Sequence, residues 1–174
     1  VWGATTQVVN VSNDSEDVPL RVFVEFLPAG GYTLWRESQE TLTNKMVKTQ
    51  EILPKLNNEL ERVVTENGTV DQITAVFDKF FLNRLEKSKI QDNFGIQVIG
   101  KMSAHRGLLN TKGLEAVTHY SARHINRVLN KELGMSAKKF NRLLRINLVL
   151  KKLEHTEMTF SELAAYAGYY DQSH

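Results

Sequence analysis

Cysteine is absent from all 174 positions, which excludes a disulfide framework, a thiolate metal site and a cysteine nucleophile and makes a reducing cytoplasm the expected compartment. No apolar run approaches the roughly 18 residues that a membrane-spanning helix needs. No basic stretch leads into an apolar one at the start, so no signal peptide is expected, and a first residue of Val1 rather than Met reads as the mark of a fragment. The five histidines, at 105, 119, 124, 155 and 174, form no His-x-x-x-His pair, so neither a metal nor another cofactor is expected. Gly95 to Lys101 has the glycine and lysine spacing of a phosphate-binding loop, but Met102 follows where Ser or Thr would hold Mg²⁺. Phe94, Val98 and Met102 instead recur as one face of a helix. Neither a catalytic triad nor a carboxylate pair can be assembled, and no enzymatic activity is expected.

What is present is a globular composition, 41% hydrophobic and 24% charged, suited to one large domain or two small ones. The net charge of +2 hides an asymmetry. Residues 1–88 carry 9 Lys and Arg against 13 Asp and Glu, a net −4, whereas residues 89–174 carry 13 against 7, a net +6. An acidic half joined to a basic half suggests that only the second meets a polyanion.

The first 36 residues favour strands. Thr5–Val11 and Leu20–Phe26 are β-branched, aromatic and partly alternating, with Leu20, Val22, Val24 and Phe26 on one face and Asn13–Asp17 as the loop between the two runs. Pro28-Ala29-Gly30-Gly31 then turns the chain into Tyr32–Trp35, a short third strand or an irregular return. So few strands cannot close a barrel, so the expected sheet is incomplete or covered by helices. From about Glu37 the period becomes helical. Pro54 fits the first turn of a helix with Leu56, Leu60, Val63 and Val64 on its apolar face, ended by Asn67-Gly68. Thr69 caps the next, in which Ile73, Val76, Phe77, Phe80, Phe81 and Leu85 form a broad stripe. That stripe packs on the sheet in the plainer reading and forms a dimer seam in the other. Glu86–Asp92 reads as a linker, and it coincides with the change of charge.

Beyond it the pattern predicts helices at about 93–106, 111–119, 121–133, 136–154 and 159–167, with a last one starting near Tyr170. Thr159-Phe160-Ser161-Glu162 is a capping box. Within Leu114–Leu129, a helix with a small inward residue, Ala116, meets a tight turn and a second helix that Ser121 caps and Ile125, Val128 and Leu129 bury. The other face of this second helix presents Arg123, Asn126, Arg127 and Asn130 at spacings of three and four. These side-chain types can bond guanine O6/N7 or adenine N6/N7 from a helix lying in the major groove of DNA. A similar arrangement recurs in Leu163–His174, with Ala164 aligned to Ala116 and Asp171 to Arg123. The intervening helix runs on the order of 28 Å, which can hold two recognition helices roughly 34 Å apart, one turn of duplex.

These residues resemble the AraC/XylS type of bacterial transcription regulator. The resemblance spans 93–174 and rests, in order, on Tyr120–Val128, Lys131–Ala137, Arg145 and Leu163–His174. It implies two helix-turn-helix units joined by one long helix, with base reading by Arg123, Asn126 and Arg127 in the first unit and by Gln172, Ser173 and His174 in the second. Val149 and Lys152 depart from the alanine and leucine usual in the family's linker helix. The family's second recognition helix continues past the position of His174, so the segment is expected to be truncated. Residues 1–88 look, through Phe26–Leu34, Leu42-Thr43-Asn44 and Val47, like the end of the regulatory domain that precedes some such regions, where it senses a small molecule, dimerises, or both.

The expected fold is thus an α+β N-terminal remnant, residues 1–88, followed by an all-α DNA-binding domain, residues 93–174. The expected function is sequence-specific, effector-responsive transcription regulation in the cytoplasm. Double-stranded DNA is the expected partner, its phosphates met by Lys112, Ser121, His124, Asn130, Lys131, Lys138, Lys139 and Arg142. A small-molecule effector, a second copy of the chain and RNA polymerase are further partners that the resemblance implies. The rival readings are a helical protein-interaction module and a small-molecule-binding β-domain with no DNA role.

Overall fold

The computed structural model describes residues 1–7, 22–88, 93–153, 155 and 157–169. The chain divides into two compact units, Val1–Asp92 with Lys131–Gly134, and Asn93–Asn130 with Met135–His174.

In the first unit the elements are α1 (Gly30–Trp35), a 3₁₀ turn at Gln39–Thr41, α2 (Thr49–Ile52), α3 (Pro54–Thr65) and α4 (Val70–Glu86). The expected α+β remnant is therefore corrected: among the described residues there is no strand, only an isolated antiparallel bridge between Trp2 and Met46. Tyr32–Trp35 lies in α1 instead of a third strand, and Val22–Leu27 pairs with nothing as a strand. Most of the first expected strand, and Leu20 and Arg21 of the second, lie outside the described residues. The physical reason for the correction is pairing. A strand satisfies its backbone only through a neighbour, whereas a helix does so within itself. Tyr32 and Trp35, one turn apart, bury their rings from one face of α1, and Ala29 (φ 64°) and Arg36 (φ 63°) turn the chain sharply at its two ends.

Trp35, Leu53 and Leu56 form the centre of this unit. Phe26 meets Trp35 and Phe81 edge-on, with ring centroids 5.2 and 5.1 Å apart. The α4 stripe packs through Val76, Phe77, Phe80 and Phe81 on this helical cluster and not on a sheet. Arg84 lies 4.8 Å above the Phe80 ring and donates to the Leu34 carbonyl at 2.9 Å, fastening α4 to the C-terminal end of α1. Pro54 begins α3 as expected, and Thr69 with Gln72 makes a complete capping box on α4.

The second unit is a succession of helices whose ends fall within about two residues of the pattern's expectation: α5 (Phe94–Ala104), α6 (Thr111–Thr118), α7 (Ala122–Leu133), α8 (Ala137–Leu153) and α9 (Phe160–Tyr166). The last turn of α7 groups with the first unit. Gly95–Lys101 lies wholly inside α5, so the phosphate-loop spacing is a helix face. The core of the unit is built from Val98, Met102, Leu114, Ile125, Leu129, Phe140, Leu163 and Ala167. Thr159 and Glu162 form the capping box on α9. Gly107 (φ 71°) follows α5 where a β-carbon would lie 2.5 Å from the Asn141 carbonyl oxygen. From α8, Asn141 donates its Nδ2 to the Leu109 carbonyl at 2.6 Å and holds the same loop.

Candidate nucleic-acid interface

Two short helices and the turn between them form the first unit of the expected reader. Asn110 caps α6 by accepting from the Gly113 amide at 2.8 Å. At its other end Thr118 folds its hydroxyl back onto the Leu114 carbonyl at 2.7 Å, and both residues are buried. His119, at φ 60°, then takes the left-handed conformation that stops the helix, with its amide donating to the Glu115 carbonyl. The inward positions of α6 are thus Leu114 and Thr118, while Ala116, expected to face inward, is exposed. The same construction ends α9: Leu163 and Ala167 are buried, and Gly168 turns the chain at φ 71°. Leu114 therefore corresponds to Leu163, His119 to Gly168 and Tyr120 to Tyr169, one residue away from the alignment on Ala116 and Ala164. In this register Arg123 falls opposite Gln172. Gln172, Ser173 and His174, and the expected last helix near Tyr170, lie outside the described residues.

The N-terminus of α7 is secured twice. Ser121 Oγ accepts from the His124 amide at 3.4 Å, and Glu115 reaches across the turn so that its Oε1 accepts from the Ala122 amide at 2.7 Å. The second bond was not foreseen, because a glutamate seven residues ahead of a helix start belongs to no local capping pattern. Ile125, Leu129 and Leu133 bury one face of α7. Arg123 and Arg127, one turn apart, are exposed on the helix, while His124, Asn126 and Asn130 are half-buried. Asn126 is engaged at both ends of its amide, donating to the Ala122 carbonyl at 3.0 Å and accepting from the Ala137 amide at 2.9 Å. Arg127 Nη2 lies 3.4 Å from Nδ1 of His124, whose ring stacks on Tyr120 at 4.9 Å and leans on Phe94 at 5.2 Å.

The lysines and the arginine among the expected phosphate contacts divide into two groups. Lys112, Lys138, Lys139 and Arg142 are all exposed, on α6 and α8 of the second unit. Lys131 lies with its Nζ 5.4 Å from the centroid of the Tyr32 ring, within the first unit.

One electrostatic pattern runs through these helices. A helix start carries a partial positive charge and favours acids, and α4 and α9 follow that preference with Asp71 and Glu162 in their first turns. In contrast, α6 and α8 have no acid there and begin with Lys112 and with Lys138 and Lys139, while α7 begins with Arg123 and receives the Glu115 carboxylate from α6. The starts of α6 and α8 thus set positive charge against their own dipoles, an arrangement that an external anion would offset.

Arg145 on α8 lies 4.3 Å above the Tyr169 ring and donates to the Gly168 carbonyl at 3.2 Å, holding the turn after α9 against α8. Lys152, where leucine is usual, is half-buried with its Nζ 5.7 Å from the Tyr166 ring centroid. Among the described residues there is no cluster of three His, Cys, Asp or Glu that could hold a metal, and no helix long and apolar enough to cross a membrane. Residues 114–174 match the family described as a helix-turn-helix domain. No curated protein and no solved structure matches the chain.

Proposed function

We propose that the chain is an AraC-type, sequence-specific transcription regulator that reads bases in the major groove through α7, a reading supported by the match of residues 114–174 to a helix-turn-helix domain. The observation that carries this reading is the set of exposed cations on these helices, Arg123 and Arg127 on α7 with Lys112, Lys138 and Lys139 at the starts of α6 and α8. Arg123 and Arg127 are exposed one turn apart on α7, and each can present a bidentate donor pair to guanine. Asn126, engaged with Ala122 and Ala137, serves first to place the helix. Asn130 and Ser121 stand beside the same face, and Lys112, Lys138, Lys139 and Arg142 neutralise phosphates. Gln172, Ser173 and His174 belong to the second reader, which the linker helix α8 separates from the first. The N-terminal unit is the regulatory part, responding to a small-molecule effector or pairing with a second copy, and RNA polymerase is the further partner of a regulator of this type.

The test is an anisotropy titration of the chain against a duplex enriched from a random-site pool, with random duplex as competitor. Arg127→Ala is expected to lower affinity for the enriched site by about 1–3 kcal/mol and to lower that for random duplex much less. An equal loss on both would remove Arg127 from base reading. No enrichment by the folded chain would favour the helical interaction module.

A further inference from the structure

We propose that His124 is a positioning residue for Arg127, holding its guanidinium in the orientation that meets a base edge. This inference rests on the reading of α7 as the recognition helix and adds to it a residue whose expected contact was a phosphate. The chemistry assigns the direction of the bond. Every polar hydrogen-bonding group of a guanidinium is a donor and it accepts nothing, so across the 3.4 Å between Arg127 Nη2 and His124 Nδ1 the imidazole nitrogen is the acceptor. The bond therefore needs a bare Nδ1.

The ring is itself held. It stacks on Tyr120 with planes 23° apart and centroids 4.9 Å apart, and it leans on Phe94 at 5.2 Å. Phe94 and Tyr120 in turn lie 4.5 Å from each other. Three rings from α5, the turn and α7 thus support one acceptor atom, placed one helical turn before an exposed arginine. A free arginine gives up rotamer entropy on being fixed. One that already leans on a braced acceptor gives up less when it meets a base, and its remaining donors stay free for a bidentate contact.

Two substitutions separate the ring from the acceptor. His124→Phe keeps an aromatic ring for the stack and removes Nδ1; His124→Asn keeps an acceptor near the position of Nδ1 and removes the ring. The measurement is the ratio of affinities of the whole chain for its enriched site and for random duplex, in the Arg127 and Arg127→Ala backgrounds, with thermal unfolding of every variant. His124→Phe is expected to lower the ratio about three- to tenfold when Arg127 is present and to leave it unmoved when Arg127 is alanine. His124→Asn is expected to recover part of the loss. Equal losses on enriched and random duplex would make His124 a phosphate contact and overturn the proposal, as would the same loss in both backgrounds. If Arg127→Ala alone leaves the ratio unchanged, α7 does not read bases through Arg127, and the reading of the helix fails together with the proposal. Should His124→Phe unfold, the nitrogen-15 shifts of the imidazole in the unaltered chain decide: a protonated Nδ1 overturns the assignment.

Discussion

Asn126 and Ala137 are joined by a 2.9 Å hydrogen bond in which the side-chain Oδ1 of one accepts the backbone amide of the other, so the first turn of α8 is capped from the middle of α7. The bond satisfies an amide that a helix start otherwise leaves without a partner. It also makes Asn126 a joint between α7 and α8. Asn126→Ala is expected to destabilise the fold by about 1–2 kcal/mol. For a unit of this size that corresponds to a melting temperature lower by roughly 4–8 °C per kcal/mol, measurable by circular dichroism. An unchanged melting temperature with a large loss of specific DNA binding would instead make Asn126 a base reader.

Lys138 and Lys139 oppose the dipole of α8. Replacing both with glutamine is expected to leave the melting temperature unchanged or to raise it slightly, while the slope of log affinity against log salt flattens by about one to two units. A lower melting temperature would assign the two lysines to the fold.

Glu162 gives the described part of the second unit a pH dependence. Its carboxylate accepts from the Thr159 amide at 2.8 Å and from the Thr159 hydroxyl at 2.9 Å, and these bonds hold its pKa below the usual 4.5. A depressed carboxylate pKa stabilises the folded state fully above the unfolded value and ceases to do so as pH falls through the folded value. The difference in melting temperature between the unaltered chain and Glu162→Ala is therefore expected near neutral pH and should shrink as the solution is acidified below 4.5. A difference that does not change with pH would show that packing, not the charge, carries the cap.

Gly107 combines a positive φ of 71° with a backbone oxygen 2.5 Å from where a β-carbon would sit. Gly107→Ala is expected to cost about 1–3 kcal/mol, because neither the left-handed conformation nor the approach to Asn141 can be kept unstrained. Amide hydrogen exchange would show the loss at the end of α5 and in the loop after it. Uniform exchange across the unit would mean that this loop carries no special constraint.

Local signals made the second unit legible. Helix starts at Asn110, Ser121 and Thr159 are written in side chains that cap within three residues, and Ile125 and Leu129 mark the buried face of α7 at a spacing of four. What escaped was non-local: the carboxylate of Glu115 on Ala122 and the amide of Asn126 on Ala137 join segments that no pattern of three or four connects. The alignment on Ala116 failed for a related reason. Small size marks a close approach only when the residue faces inward, and Thr118, not Ala116, takes that place by returning its hydroxyl to the Leu114 carbonyl. In the first unit, β-branched and aromatic composition suggested strands. Composition does not supply a neighbouring strand, and Tyr32 with Trp35 finds burial as readily at the spacing of a helix.

The 17 residues of α8 span about 25 Å without a proline or glycine between them. Such a rod fixes an angle as well as a length. Each residue added to or removed from it would rotate everything beyond Leu153 by about 100° relative to α7 while changing the separation by only about 1.5 Å. Because the first turn of the rod is pinned at Ala137, that rotation cannot be taken up at the junction with α7. A change in the residue count between Ala137 and Leu153 would therefore alter the phase between α7 and α9, whereas a substitution on the exposed side of α8 would leave that phase as it is.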